Sequence, residues 1–245
     1  MNKPAYKRIL LKLSGETLKG AAAFGVDPDT TVAVAKKIGE IRAAGVQVAL
    51  VIGAGNLFRG LPASKKGMTR ATADAMGMLA TVMNALAMCD CLESVGVPAV
   101  VQCAIPMPGV AEVFERKAAL AHLKAGTVVI LAGGTGHPFF TTDTTAALRA
   151  CEIDACAVLK ATKVNGIYTA DPLKNPSAKR YRTISYADAL AQRLEVMDAT
   201  AFSLCQENQI PILVFNFFAE GDLLRVVMGE STVATVVGAG ATVLD

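Results

Sequence analysis

VVILAGGTGHPFFTTDTTAALRA, residues 128–150, opens as an uninterrupted apolar run and closes in a helical pattern, with glycines and threonines between. Val128–Ala132 is short and rich in β-branched residues, the signature of a strand buried on both faces. Thr142–Ala150 carries apolar residues at helical spacing. A strand that leaves through glycines and restarts as a helix is half of a βαβ unit. Such an exit can present backbone N–H groups to an anion, and it can equally be a plain corner.

The same alternation extends in both directions. Arg8–Leu13, Gln47–Ile52, Ala99–Cys103, Thr127–Ala132, Ala155–Lys160, Ile212–Asn216 and Thr232–Val237 read as strands. Thr30–Ala44, Thr72–Val95, Gly109–Ala125, Thr142–Ala150, Ala199–Asn208 and Asp222–Met228 read as helices. Right-handed βαβ units built this way predict an α/β fold, a three-layer α/β/α sandwich around one mostly parallel sheet. Residues 1–245 are expected to form a single domain, with lobes of about 1–150 and 151–245 meeting near Ala150–Ala161. The polar stretch Asn165–Tyr181, with Pro172 and Pro176, reads as a surface excursion, a short hairpin with a loop.

Composition narrows the function classes. The chain has 245 residues, 53% hydrophobic and 5% aromatic, a balance suited to helices on both faces of a parallel sheet. A net charge of +3 on scattered lysines and arginines gives no footprint for nucleic acid. The longest apolar stretch, Ala75–Cys89, is interrupted by Thr81 and Asn84 and falls short of the roughly 20 residues that span a bilayer. It predicts a buried helix and no membrane partner. The N-terminal MNKPAYKRILLKLSGE places Lys12 inside its apolar core and does not read as a signal peptide. The six cysteines form no Cys-x-x-Cys pair and stand apart from His122 and His137, which predicts core thiols in a reducing cytoplasm and no protein-held metal.

Four strand exits carry polar and glycine residues: Leu11–Gly15, Ile52–Asn56, Gly133–Asp143 and Lys160–Lys163. On a parallel sheet these ends line one crevice, the usual place for a ligand. Each exit alone has an ordinary explanation, a tight turn, a solvated lysine or a helix cap. Together they favour a site for phosphorylated ligands. No Gly-x4-Gly-Lys-Ser/Thr, no Gly-x-Gly-x-x-Gly opening a βαβ unit and no nucleophile elbow is present. What remains is two lysines, several glycines and acids at 74, 143 and 171, a set able to cradle two anionic ligands end to end.

KRILLKLSGE (7–16), IGAGNLFRG (52–60), ADAMGMLATVMN (73–84), GTGHPFFTTD (134–143), LKATKVNGIYTADP (159–172) and VMDATAF (196–202) resemble the bacterial UMP kinase branch of the amino acid kinase family. The likeness runs in order from Tyr6 to about Gly229. Its two longest motifs separate that branch from carbamate, glutamate and aspartate kinases. The resemblance implies ATP-dependent phosphorylation of UMP to UDP, with Mg²⁺ carried by the nucleotide. It also implies a cytoplasmic homohexamer activated by GTP and inhibited by UTP.

Carried over position by position, the resemblance puts Lys12, Leu13, Ser14, Gly15, Gly55 and Arg59 at the ATP phosphates, with Thr162, Tyr168 and Asp171 on the adenosine side. It puts Ala54 and Asp74 on UMP, wrapped by Thr135, Gly136, His137, Pro138, Phe139, Phe140, Thr141 and Thr142. Lys12 would neutralise the transferring phosphoryl group, Lys160 would assist, and Asp143 would orient Lys12. The plain alternatives are a dipole-favoured helix cap for Asp74 and for Asp143. Ala54 stands where the family has the middle glycine of three, His137 replaces an asparagine, and Asn165 replaces a turn aspartate. Gly20–Gly25 matches the family's GTP-response segment only at its glycine and phenylalanine positions. An acceptor other than UMP on the same fold, or a nonenzymatic nucleotide-binding protein, are the competing readings.

Overall fold

The computed structural model describes residues 3–59, 67–172, 174–192, 194 and 196–245. Strand β1 (Arg8–Leu13) lies near the middle of a ten-stranded sheet, paired in parallel with β2 (Gln47–Ile52) and β6 (Ala157–Thr162). Outward from β2 follow β5 (Val128–Ala132), β3 (Ala99–Cys103) and β4 (Glu112–Val113). Outward from β6 follow β8 (Ile212–Asn216), β9 (Ala234–Gly238), β7 (Tyr181–Ser185) and β10 (Val243–Leu244). The pairs β8–β9 and β7–β10 are antiparallel, and the other pairings are parallel.

Alternation along the central strands builds two cores. Ile9, Leu11, Leu13, Leu50, Ile52 and Ile130 face α1 (Pro28–Ala43), α2 (Arg70–Ser94) and α7 (Asp222–Val227). Leu10, Ala49, Val51, Val129 and Leu131 face α3 (Arg116–Lys124), α4 (Thr142–Glu152), α5 (Tyr186–Ala191) and α6 (Ala199–Glu207). Each fully buried Leu or Ile contributes about 1.5–3 kcal/mol. The result is the three-layer α/β/α sandwich that strand–helix alternation predicts.

Several boundaries differ from the sequence reading, each for a local reason. The third helix begins at Arg116, not Gly109, because Gly109 turns at φ 80° and Glu112–Val113 joins the sheet edge as β4. Glu115 then caps the helix, its carboxylate accepting from the N–H groups of Lys117 and Ala118. Strand β6 ends two residues later than expected, which brings Thr162 onto the sheet. Strands β7 and β10 and helix α5 carry no strong periodicity and were not expected. The hairpin of the 165–181 excursion is present, through the antiparallel bridge between Tyr168 and Arg180.

Helix α2 departs most from expectation. Its inner face, with Ala80, Val82, Ala85, Met88 and Leu92, is buried. Its outer face is not: Met76, Leu79, Met83 and Leu86 are exposed. At 25 residues the helix is long and apolar enough to cross a membrane by length and composition alone, yet one face packs the core of the sheet. The expected buried helix is therefore half-buried, with an apolar stripe outward.

Candidate active site

Lys12 and Lys160 occupy directly paired positions on β1 and β6. Two ammonium groups side by side on one face of a sheet repel unless an anion lies between them. Asp143, in the first turn of α4, supplies it. Its Oδ1 lies 2.7 Å from Lys12 Nζ and its Oδ2 accepts a hydrogen bond of 2.8 Å from Lys160 Nζ. The carboxylate is thus shared between the two ammonium groups, one oxygen to each. Lys160 also donates to the Val196 carbonyl. Burial pushes the Asp143 carboxyl up, but the two lysines outweigh it and hold the group below its ordinary value. Burial, reinforced by Lys12, depresses the Lys160 ammonium against the opposing pull of Asp143.

The glycines bring backbone to this cluster. A Cβ on Gly15 would overlap Asn56 Oδ1 and the Gly53 carbonyl, so the first exit can close on the second only with glycine there. Behind that contact Asn56 and Asn84 exchange hydrogen bonds of 3.1 and 2.8 Å, and Asn84 Nδ2 also donates to the Gly53 carbonyl at 2.8 Å. This buried amide pair fixes the spacing of the β1 and β2 exits. At Gly133 (φ 76°) a Cβ would press on Cys103 Sγ at 2.7 Å, which explains the glycine that starts the third exit.

Beyond the cluster lies a cavity of ≈ 370 Å³. Ala54, Asp74, Thr135, His137, Phe140, Thr141 and Thr142 line it, so most of the residues expected around UMP converge there. Thr141 caps α4, its hydroxyl accepting from the N–H groups of Asp143 and Thr144, and the positive end of the helix faces the cavity. Asp74 is not a helix cap: Thr69 performs that role for α2. The Asp74 carboxylate accepts from Phe139 N at 2.7 Å and from Arg70 Nε at 2.9 and 2.7 Å. It thereby holds Phe139 at φ 73°, a backbone state that side-chain-bearing residues rarely adopt. The cap alternative for Asp143 is likewise incomplete, because the side chain bridges two lysines.

Arg59 lines the same cavity, at the side where it adjoins the Ser14–Glu16 exit. Its guanidinium pairs with Glu16 at 2.7 Å. Lys19 and Arg59 together hold the Glu16 carboxyl below its ordinary value. A second cavity, ≈ 130 Å³, gathers Ser14, Glu16, Thr17, Ala161, Thr162, Lys163, Phe217 and Phe218. Ser14 and Thr162, expected on the ATP side, meet here. Tyr168 and Asp171 lie on the hairpin and do not line this cavity. Leu13 is fully buried, so only its backbone can serve a ligand.

Some residues escaped the sequence reading. Asp198 lies in VMDATAF and caps α6 through Ala201 N at 2.8 Å. It also accepts from the hydroxyls of Thr141 and Thr144, tying the start of α4 to the start of α6. The bond to a helix start more than fifty residues earlier had no local signal. The same holds for the Asn56–Asn84 pair and for Phe217 and Phe218.

Residues 7–216 match the pattern of the amino acid kinase family. A uridylate kinase of Legionella pneumophila (strain Paris) is 56% identical over 234 residues, 96% of this chain and 94% of the relative. A uridylate kinase of Ectopseudomonas mendocina (strain ymp) is 56% identical over 226 residues, 92% of each chain. Among solved structures, a UMP kinase from Bacillus anthracis superposes with TM-score 0.94 at 38% identity, covering 98% of this chain and 99% of that one. A UMP kinase from Ureaplasma parvum superposes with TM-score 0.89 at 36% identity, covering 95% and 98%.

Proposed function

The chain belongs to the amino acid kinase family, and on that premise we propose that it transfers the γ-phosphoryl group of ATP to UMP, giving ADP and UDP in pyrimidine nucleotide biosynthesis. The observation that carries this reading is the Lys12–Asp143–Lys160 cluster beside a cavity lined by Asp74 and the 134–142 exit. The names of relatives across almost the whole chain support the same acceptor.

The chemistry asks little of a base. The second ionisation of a phosphate monoester lies near pH 6, so the attacking oxygen of UMP is already anionic at neutral pH. The barrier is the approach of two polyanions, and positioning with charge neutralisation lowers it. Lys12 follows the transferring phosphoryl group and Lys160 neutralises charge beside it. Asp143 keeps both ammoniums at the sheet edge. Leu13, Ser14, Gly15 and Gly55 offer backbone N–H groups to the ATP phosphates, and Arg59 bridges toward them from the acceptor cavity. Thr162, Tyr168 and Asp171 serve the adenosine side, which makes the lobe of about 151–245 the ATP lobe. Asp74 takes the ribose hydroxyls of UMP, while Ala54 and Thr135–Thr142 surround its phosphate and base.

Mg²⁺ arrives as part of the nucleotide substrate, where it screens the phosphate charges. Among the described residues no three of His, Cys, Asp and Glu converge on a point, and Asp143 is engaged by two lysines, so the donor set suits a metal held by phosphates. The proposal extends to a homohexamer, supported by the outward stripe Met76, Leu79, Met83 and Leu86 on α2, which asks for a partner surface. Activation by GTP, inhibition by UTP and a cytoplasmic location complete it; six free thiols agree with a reducing compartment. A coupled ADP-release assay tests the core reading. UMP with ATP should give rapid turnover, whereas carbamate, glutamate and aspartate should give none. Turnover on one of those acceptors without turnover on UMP would overturn it.

A further inference from the structure

The outermost strand of the ATP lobe makes a chain of contacts that no step above uses. Strand β10 lies antiparallel on β7, and Asp245 reaches back over it. The Asp245 side chain accepts from Arg180 Nε at 2.6 Å and from Arg182 Nε at 3.4 Å, and its backbone N–H donates to the Arg180 carbonyl at 2.9 Å. Arg180 is otherwise enclosed, only 12% of its side chain being exposed. Its Nη1 donates to the Asn165 carbonyl at 3.0 Å. Asn165 Oδ1 in turn accepts from the Tyr168 hydroxyl at 2.5 Å. The relay therefore runs Asp245, Arg180, Asn165, Tyr168, and ends on the hairpin that carries Tyr168 and Asp171.

Two features make this a positioning device rather than a loose surface pair. The 165–167 turn sits directly on Arg180 and Thr235: a Cβ at Gly166 would overlap Thr235 Oγ1 and come within 3.1 Å of Arg180 Cδ. The strap itself is laced down independently of Asp245. Thr183 Oγ1 donates to the Ala241 carbonyl at 2.8 Å, Ser185 N donates to Thr242 Oγ1 at 3.0 Å, and the Thr242 hydroxyl donates to Asp188. Asp245 is thus presented on a fixed strand to an arginine that has little freedom to turn elsewhere.

We propose that Asp245, acting through Arg180 and Asn165, is a positioning residue for the ATP side of the reaction, setting the hairpin that presents Tyr168 and Asp171 to the adenosine. The inference rests on the assignment of that hairpin to ATP. The cavity assigned above to UMP lies between α2 and α4, far along the sheet from β7, so the relay should leave UMP binding alone.

The test is a steady-state comparison of Asp245→Ala, Asp245→Glu, Tyr168→Ala and the parent protein, with melting temperature measured for each. Asp245→Ala should raise KM for ATP about three- to tenfold while KM for UMP stays within about twofold, and Asp245→Glu should recover most of the loss. A merely structural role would lower the melting temperature and leave the ratio of the two KM values unchanged, which would overturn the proposal. If Asp245→Ala does not fold, Arg180→Lys carries the same prediction, keeping the charge but losing the fork that joins Asp245 to Asn165. A raised KM for ATP in Tyr168→Ala alone would defeat the relay and spare the hairpin assignment. A normal KM for ATP in both variants would defeat the two together.

Discussion

Asp143→Asn is the most searching perturbation of this site. The substitution keeps the shape of the side chain and the Thr141 cap, and removes only the charge that separates two lysines. Lys12, Lys160 and Asp143 retain 12%, 14% and 16% of their side-chain exposure, so water screens them poorly. Removing one partner of a buried ion pair costs about 3–5 kcal/mol. Here the lower end applies, about 3 kcal/mol, because Lys160 keeps its bond to the Val196 carbonyl and is already inclined to lose its proton. For a chain of this size that corresponds to a fall of roughly 6–12 °C in Tm. Turnover should fall by about a hundredfold or more as Lys12 loses its orientation. The pH dependence gives an independent sign. A depressed carboxyl contributes stability that is full above its unfolded pKa and is lost as pH falls through the lower folded value. The Tm gap between the two proteins should therefore hold at neutral pH and narrow below about pH 4. Adding Lys160→Met to Asp143→Asn should restore about half of the lost stability, because it removes a stranded charge. Strict additivity in that cycle, or a Tm unchanged within about 2 °C at neutral pH, would refute the clamp.

Lys12→Ala leaves Asp143 paired with Lys160, so scanning calorimetry should find little change in Tm while kcat falls about a hundredfold or more; near-normal turnover in the folded variant would remove Lys12 from the chemistry. Asp74→Asn should erode a preference for UMP over dUMP of about one to two orders of magnitude, mainly by impairing UMP; kinetics with both acceptors decide it, and an unaltered ratio would take the carboxylate off the ribose. Gly15→Ala should destabilise by about 1–3 kcal/mol in denaturant titration, since its methyl must displace Asn56 and break the Asn56–Asn84 pair; a neutral effect would show that the exits are not closely packed.

The layers and the long strands β1, β2, β3, β5, β6, β8 and β9 were legible because periodicity is a local property. Val128–Ala132 and Arg8–Leu13 announce buried strands in five or six residues. The edge of the sheet was not legible for the same reason: β10 is two residues long and exists only because β7 offers it a partner. In the candidate site, the cavity-lining residues of the 134–142 exit stood out because they share one stretch of chain. Resemblance brought in Asp74 but left its Phe139 contact unseen. Arg59 lines the cavity beside Asp74 and is held by Glu16, a pairing across 43 positions of sequence that nothing in either segment announces. Asp198 makes its decisive contacts with Thr141 and Thr144, more than fifty positions away, so its own segment carries no sign of them.

The dependence of the chemistry on sheet register is the deeper reason that sequence and site are so tightly joined. Leu10 and Val158 face the core under α4, so Lys12 and Lys160, two residues further along each strand, face α4 as well. Their neighbours Leu11 and Leu159 belong to the opposite core. A slip of one residue in either strand would send a lysine into that core and a leucine toward Asp143, so the burial of four leucine and valine side chains fixes the placement of the two charges. Asp143 completes the arrangement only because Thr141, anchored on Asp198, starts α4 at the height of the two lysines. Hydrophobic packing sets the positions of the cations, and one helix start sets that of the anion. The spacing of the two ammonium groups is therefore set by the fold itself, the preorganisation that the proposed charge neutralisation calls for.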